Sequence, residues 1–387
     1  ITIILEINQI LFISKGERWM NNTVTENFTS EITPAFQFGL PYIFAPLMVI
    51  SWIFGGWTIL LVPIFGYVVI TFFDALIGKK LIKPTENSAG SEDRYKYILY
   101  GWVPMQFFLI FGSLMAIFMF DHLSGTEAFF LMIVQGIISG AVGIVFAHEL
   151  MHQKTRIERF LSDLLMGMSL YGHFRTEHVL VHHRHVGTRK DAVTARYGEN
   201  FYKFFIRVIP ECLLSSWNTE KELLQKKNLP FWDFQNPFFI YFGLMLFFLL
   251  LATLIGGMLG AICFFIQALV AVLHLEVVNY IEHYGLVRQK LDNGKFEPTR
   301  PHHSWNANDH ASNLLLINLQ KHSDHHARPN KKYQHLQSYD AGDAPQLPFG
   351  YPLMVLMSLI PQFWMKVMNP KVLEWRKRFY PEIQDWS

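Results

Sequence analysis

The 387-residue chain is 51% hydrophobic and only 17% charged, whereas a soluble domain usually carries about 25% charge. That deficit excludes a string of soluble domains and suits a surface facing lipid. A net charge of +2 leaves no nucleic-acid footprint, and two cysteines, Cys212 and Cys263, exclude a disulfide framework or a four-thiolate metal site within the chain. Both are expected to be free buried thiols.

In chain order, the first residues are a separate question. The chain opens on Ile1 and its first methionine is Met20. The stretch KGERWM (15–20) back-translates to a purine-rich run just ahead of an ATG, which resembles a bacterial ribosome-binding site. The expectation is that Met20 is the start and 1–19 is upstream sequence; the alternative is a fragment of a longer tail. The apolar run 1–13 is short, precedes its positive charge and lacks a small-residue cleavage site, so it makes a poor signal peptide.

After this tail (1–36), the pattern predicts an all-α integral membrane protein. A spanning helix needs about 20 mostly apolar residues, and six runs qualify: 37–54, 57–78, 97–120, 127–149, 238–256 and 258–281. The short turns at Gly55-Gly56, Asp121 to Glu127 and Gly256-Gly257 fall on one side. The other side receives the tail, the 79–96 loop, the long 150–237 segment and 283–387. Lys79, Lys80, Lys83, Arg94, Lys96, Lys154, Arg156 and Arg159 gather there, which by the positive-inside rule makes it the cytoplasmic face of a bacterial inner membrane. The division is therefore transmembrane helices one to four in 37–149, a cytoplasmic histidine-rich segment in 150–237, helices five and six in 238–282, and a cytoplasmic histidine-rich and interfacial segment in 283–387. Residues 350–366 are apolar but broken by Pro352 and Pro361, which suits an interfacial segment better than a seventh span.

Fifteen of the seventeen histidines lie between 148 and 326. His148 and His152 stand in HELMH, His178, His182 and His183 in EHVLVHH, His283 in NYIEHYG, and His322, His325 and His326 in HSDHH. On a helix, residues three or four apart share a face, so 148/152, 178/182 and 322/325/326 can each aim imidazoles at one point. His182 and His183 point about 100° apart and can serve different metals. HELMH alone reads as a zinc-protease motif, but that reading uses two histidines and leaves seven unexplained. Nine imidazoles exceed one tetrahedral zinc and suit two metals of higher coordination number. His122, His173, His274 and His335 read as caps or surface residues. Glu149, Glu177, Glu282 and Asp324 each adjoin a clustered histidine, and ligand imidazoles commonly donate their second N–H to a carboxylate. Asn279, one turn before His283, is a polar group at membrane depth and is expected to join the same network.

Together these motifs resemble the integral-membrane alkane monooxygenase family, within the membrane fatty-acid desaturase and hydroxylase superfamily. NYIEHYGL (279–286), HSWNAN (303–308) and LQKHSDHH (319–326) are its most specific stretches, and the resemblance covers most of the chain, as far as APQLPFGYPLM (344–354). It implies that the nine histidines hold a non-haem diiron centre, that O2 is the oxidant, and that rubredoxin with its NADH-dependent reductase supplies electrons for turning n-alkanes into 1-alkanols. Gln153 stands where the family usually has Lys, Lys321 replaces a usual Arg, and EHVLVHHRHVGT differs between its histidines. None of these departures removes a ligand. No catalytic residue beyond the metal ligands is assigned. The nearest alternative is a membrane hydroxylase or desaturase of another apolar substrate, such as an alkylbenzene or a fatty acyl chain. A histidine-lined metal transporter is disfavoured because the spans are strongly apolar.

An n-alkane drawn from the bilayer offers no polar handle, so an apolar channel must orient it. Gly66, Gly112, Gly140 and Phe107 are candidates for its wall, although helix packing explains the glycines equally well. Two cysteines leave no room for a fused rubredoxin domain. Lys331, Lys332, Arg376, Lys377 and Arg378 can dock an acidic carrier or anionic lipid headgroups.

Overall fold

The computed structural model describes residues 33–83 and 92–383. The expected start at Met20, and most of the N-terminal tail, lie outside the described residues. Among the described residues the protein is mostly helical, with five helices long and apolar enough to cross a membrane. These are α1 (Ala35–Phe54), α2 (Gly56–Ile77), α3 (Glu92–Phe118), α4 (Gly125–Met151) and α7 (Phe238–His283). Between them lie α5 (Arg156–Met168) and the amphipathic α6 (Phe201–Lys226), and after them α8 (His322–Ala327), α9 (Tyr351–Ser358) and α10 (Pro361–Phe379).

The turns follow from local chemistry. Gly55 and Gly56 take positive φ of 57° and 54°, a conformation that suits only glycine without cost, and so reverse the chain between α1 and α2. Ser124 caps α4 in a reciprocal box with Glu127, and the other oxygen of Glu127 accepts from Gly56 N at 2.6 Å, tying the two turns together. In the 46-residue α7, Gly256 and Gly257 are non-helical, with Gly257 at φ 59°, so the rod is broken where the sequence places a turn.

Helix α7 is the spine. It packs along α3, α4, α5, α6 and α9, and its second half is buried while its first half presents apolar side chains outward. Close approach of α4 to α7 depends on glycine: a Cβ at Gly136 would meet Val270 Cβ at 2.5 Å, and one at Gly140 would meet His274 Cβ at 2.6 Å. The chain over 350–366, expected as an interfacial segment, packs on the helices. It breaks at Leu359-Ile360, and Tyr351, Pro352, Met354, Val355 and Met357 are buried against the bundle. Cys212 is buried and Cys263 half-buried, and both thiols are free.

Three stretches are wound as π-helix rather than α-helix: Ile64–Val69 in α2, Ser139–Ile144 in α4, and Glu177–His182 in the segment after α5. Each inserts one extra residue per turn and re-aims the side chains around it, a distortion often found at functional sites. All three border the same interior space.

Candidate metal centre

The nine clustered histidines come from four places. His148 and His152 close α4, with His152 at its C-cap; His178 and His182 lie in the π-turn and His183 follows it; His283 ends α7; His322, His325 and His326 occupy α8. The short α8 is held by its surroundings. Asp324 accepts from Lys331 Nζ at 2.7 Å, Gln337 N at 3.0 Å and the Tyr339 hydroxyl at 3.2 Å, while Ser323 N donates to Asn306 Oδ1 at 2.9 Å.

These supports sort the nine into two groups. His148, His152, His178, His183 and His325 form one, and His182, His283, His322 and His326 the other; within each, one ring nitrogen per residue lies within 4.8 Å of all the rest. The groups abut, with the rings of His183 and His326 4.6 Å apart. His182 and His183 do part company. Helical spacing pairs 178 with 182, but the structure pairs His178 with His183, their Nε2 atoms 3.0 Å apart. The π-turn is the reason, because its wider winding brings i and i+5 to one face. In α8, His322 and His326 stay together at 2.9 Å while His325 turns to the first group, its Nε2 3.1 Å from that of His183.

The facing atoms are nitrogens. Nε2 of His178 is 3.0 Å from that of His152, His182 is 3.2 Å from His326, and His322 is 3.2 Å from His283. Each neutral imidazole has a single N–H, so closed sets of converging nitrogens cannot all be satisfied by hydrogen bonds. His148 Nε2, in the first group, has no hydrogen-bond partner at all. Protonation gives no relief: burial, reinforced by neighbouring imidazoles, pushes His178, His183, His322, His325 and His326 well below the usual range, and His152 down to about 3. Converging neutral imidazole lone pairs are what a cation requires, so these residues fit a pair of bound metals.

The carboxylates are arranged differently from their sequence neighbours' positions. Asp191, which the sequence reading missed, accepts from His182 Nδ1 at 3.1 Å and from Thr194 Oγ1 at 2.6 Å. It fixes the His182 tautomer that leaves Nε2 free. It lies nine residues on in an irregular loop, where no periodicity points to it. Glu282 reaches His322, but at Nε2 (3.3 Å), the atom facing the group, and its other oxygen accepts from the Tyr351 hydroxyl at 2.8 Å. Glu149 instead accepts from Gln153 Nε2 at 2.8 Å and from Tyr333 N, so Gln153 has a clear role. Asp324 binds the lysine, tyrosine and backbone partners named above. Asn279 donates to Glu276 Oε2 at 3.0 Å. Glu177 is fully buried beside Cys212, and burial pushes its carboxyl well up.

Losing an outer partner of a ligand typically costs 10–100-fold in metal affinity. Asp191→Asn is therefore expected to shed metal to a chelator about 10–100-fold more readily, while Glu149→Gln, which touches no imidazole, should shed it little faster than the parent. Metal content after timed chelation checks both.

From the two groups an apolar cavity runs between the helices. His148, His178, His322 and Glu282 close one end; Ile144, Ala141 and Ile137 of α4, Val278 and Leu275 of α7, Val62 and Gly66 of α2, and Val355 of α9 form the wall. Of the four wall candidates from the sequence, Gly66 and Gly140 line it. Gly112 instead receives Trp52, 2.5 Å from a built Cβ, and Phe107 is exposed on the outside. His274 is not a surface cap: it is buried in this wall, its Nε2 2.9 Å from the Tyr67 hydroxyl. His173 is buried as well.

Residues 124–357 match the fatty acid desaturase family. Alkane 1-monooxygenase 2 of Pseudomonas aeruginosa is 38% identical to the chain over 331 residues, 84% of each protein. The alkane 1-monooxygenase of Ectopseudomonas oleovorans is 37% identical over 83% of this chain and 80% of its own. The hydroxylase component of the xylene/toluene monooxygenase of Pseudomonas putida is 29% identical over 62% and 64%. The chain is thus a membrane enzyme of the fatty acid desaturase family. Within that family it belongs to the alkane 1-monooxygenases.

Proposed function

We propose that the protein hydroxylates the terminal methyl of n-alkanes to 1-alkanols, with O2 as oxidant, rubredoxin as electron donor and two non-haem irons held by the nine histidines. The observation that carries this reading is the apolar cavity that ends at two converging groups of neutral imidazoles. His148, His152, His178, His183 and His325 would hold one iron, and His182, His283, His322 and His326 the other. Imidazole serves several first-row metals; the family relationship supports iron.

When bound, the metals with O2 supply the oxidising chemistry. The chain's own residues do the rest. A methyl group carries no charge or hydrogen-bonding handle, so the wall of Ile137, Ala141, Ile144, Leu275, Val278 and Val355 orients the chain by shape and excludes water. Asp191 holds one imidazole in its tautomer, and the Tyr351 hydroxyl restrains Glu282 at the cavity's end. The balance is alkane plus O2 plus two electrons plus two protons, giving 1-alkanol plus water.

The break at Gly256-Gly257 supports reading α7 as two spans, six in all. The basic residues and both histidine groups then share one face, which the positive-inside rule makes cytoplasmic in a bacterial inner membrane.

Product analysis tests the substrate class. Iron-loaded protein offered an n-alkane, a fatty acyl chain and an alkylbenzene should form 1-alkanol fastest; turnover of either other substrate without alkane hydroxylation would overturn it. Ala141→Trp, which fills the cavity between His148 and Ile137, should abolish turnover of long alkanes before short ones while iron content stays at parent level.

A further inference from the structure

Three of the five basic residues expected to meet an electron carrier are engaged within the fold. Lys331 pairs with Asp324 at 2.7 Å and Lys332 with Glu92. Arg376 lies 4.6 Å over the ring of Tyr197. A different set of basic side chains stands free. Arg184, Arg189 and Lys190 follow His183 in the chain, and Lys290 belongs to the loop that follows His283; all four are exposed. Among the described residues none of the four has an ion pair. The two loops are fastened together by Arg288, whose N donates to Gly187 O at 2.8 Å and whose Nη2 donates to Arg184 O at 3.0 Å. Of the nearby acids, Asp191 is turned inward onto His182, while Asp292 is exposed in the second loop and offsets part of this charge.

A second observation coincides with the first. Of the nine clustered histidines eight are buried, and the one that is only half-buried is His183, directly before Arg184. Electron transfer weakens steeply with distance, so a carrier works best where a ligand comes nearest to its surface.

We infer that electrons enter over this face: Arg184, Arg189, Lys190 and Lys290 dock an acidic one-electron iron–sulfur carrier, with His183 the ligand closest to it. This rests on the proposed rubredoxin-dependent hydroxylation and adds the place where the carrier binds. Two reduced carriers, each oxidised by one electron, meet the requirement of one turnover. Anionic lipid headgroups share the carrier's charge, but contact with headgroups gives no reason for the basic residues to lie beside the least buried of the nine ligands.

The test is charge reversal at residues outside the metal groups, Arg189→Glu, Lys190→Glu and Lys290→Glu together, in the full-length iron-loaded enzyme with a bacterial rubredoxin as probe. Exposed charges chiefly set association rate and its salt dependence. The KM for rubredoxin should rise about tenfold or more and lose its salt sensitivity. Iron content and the rate of direct reduction by dithionite should not change. An unchanged rubredoxin KM would overturn the inference. So would a variant whose only defect is weaker binding to vesicles containing anionic lipid, or a KM rise produced by Lys377→Glu with Arg378→Glu instead. A parent enzyme that dithionite reduces but rubredoxin does not would refute the carrier reading itself, a result distinguishable from failure of the docking face alone.

Discussion

His283→Ala should abolish alkane hydroxylation and lower bound iron from two toward one per chain, with the remaining iron in the five-imidazole group. His283 supplies one of only four imidazoles in its group, and its ring nitrogen sits 3.2 Å from that of His322. Removing it leaves three nitrogens around a buried space with Glu282 alongside. His325→Ala should also abolish hydroxylation if, as proposed, the reaction uses both metals, but four imidazoles remain in its group and iron should be retained better than in His283→Ala. His335→Ala is the control. Its Nε2 lies 3.9 Å from Glu92 and belongs to neither group, so activity and iron should both stay near parent levels. Gas chromatography of products and iron per chain measure the series. A His335→Ala loss as deep as that of His283→Ala would show that the histidines have been sorted wrongly.

Turnover should depend wholly on an added carrier. Purified protein given n-alkane, O2 and NADH should form no 1-alkanol, and adding rubredoxin with its reductase should restore formation. The two cysteines sit apart on α6 and α7, both as free thiols, which cannot build an iron–sulfur relay. The chain also has no glycine-rich dinucleotide fingerprint after a strand. Hydroxylation with NADH alone, in protein free of carrier, would mean an electron-transfer site of another kind.

Much of the helical layout was legible because an apolar run of membrane length is a strong signal in any window. The runs at 37–54, 57–78 and 127–149 lie in α1, α2 and α4 to within two residues at each end. Helix α3 starts earlier than hydropathy suggests, because its first turn is the polar Glu92-Asp93-Arg94. The last two runs sit in one rod broken at Gly256-Gly257. The histidines were legible as clusters, since residue type alone marks them.

Their division was not. A reading at 3.6 residues per turn assigns His178 to His182, and only the π-turn at 177–182 delivers it to His183. No composition rule marks a π-turn in advance. Sequence adjacency also misassigned partners. Glu149 and Asp324 flank ligands but bond elsewhere, whereas Asp191 reaches His182 through a loop. Residues adjacent on a helix point about 100° apart, so a neighbour in sequence is seldom a neighbour in contact.

The central claim is that the nine histidines hold two irons in nitrogen-rich sites. Metal analysis combined with Mössbauer spectroscopy on detergent-purified protein tests it most directly. The account predicts two irons per chain with signals of imidazole-rich, non-haem ligation, split unequally between a five- and a four-imidazole site. A single zinc per chain, with no iron signal after reconstitution, would contradict it.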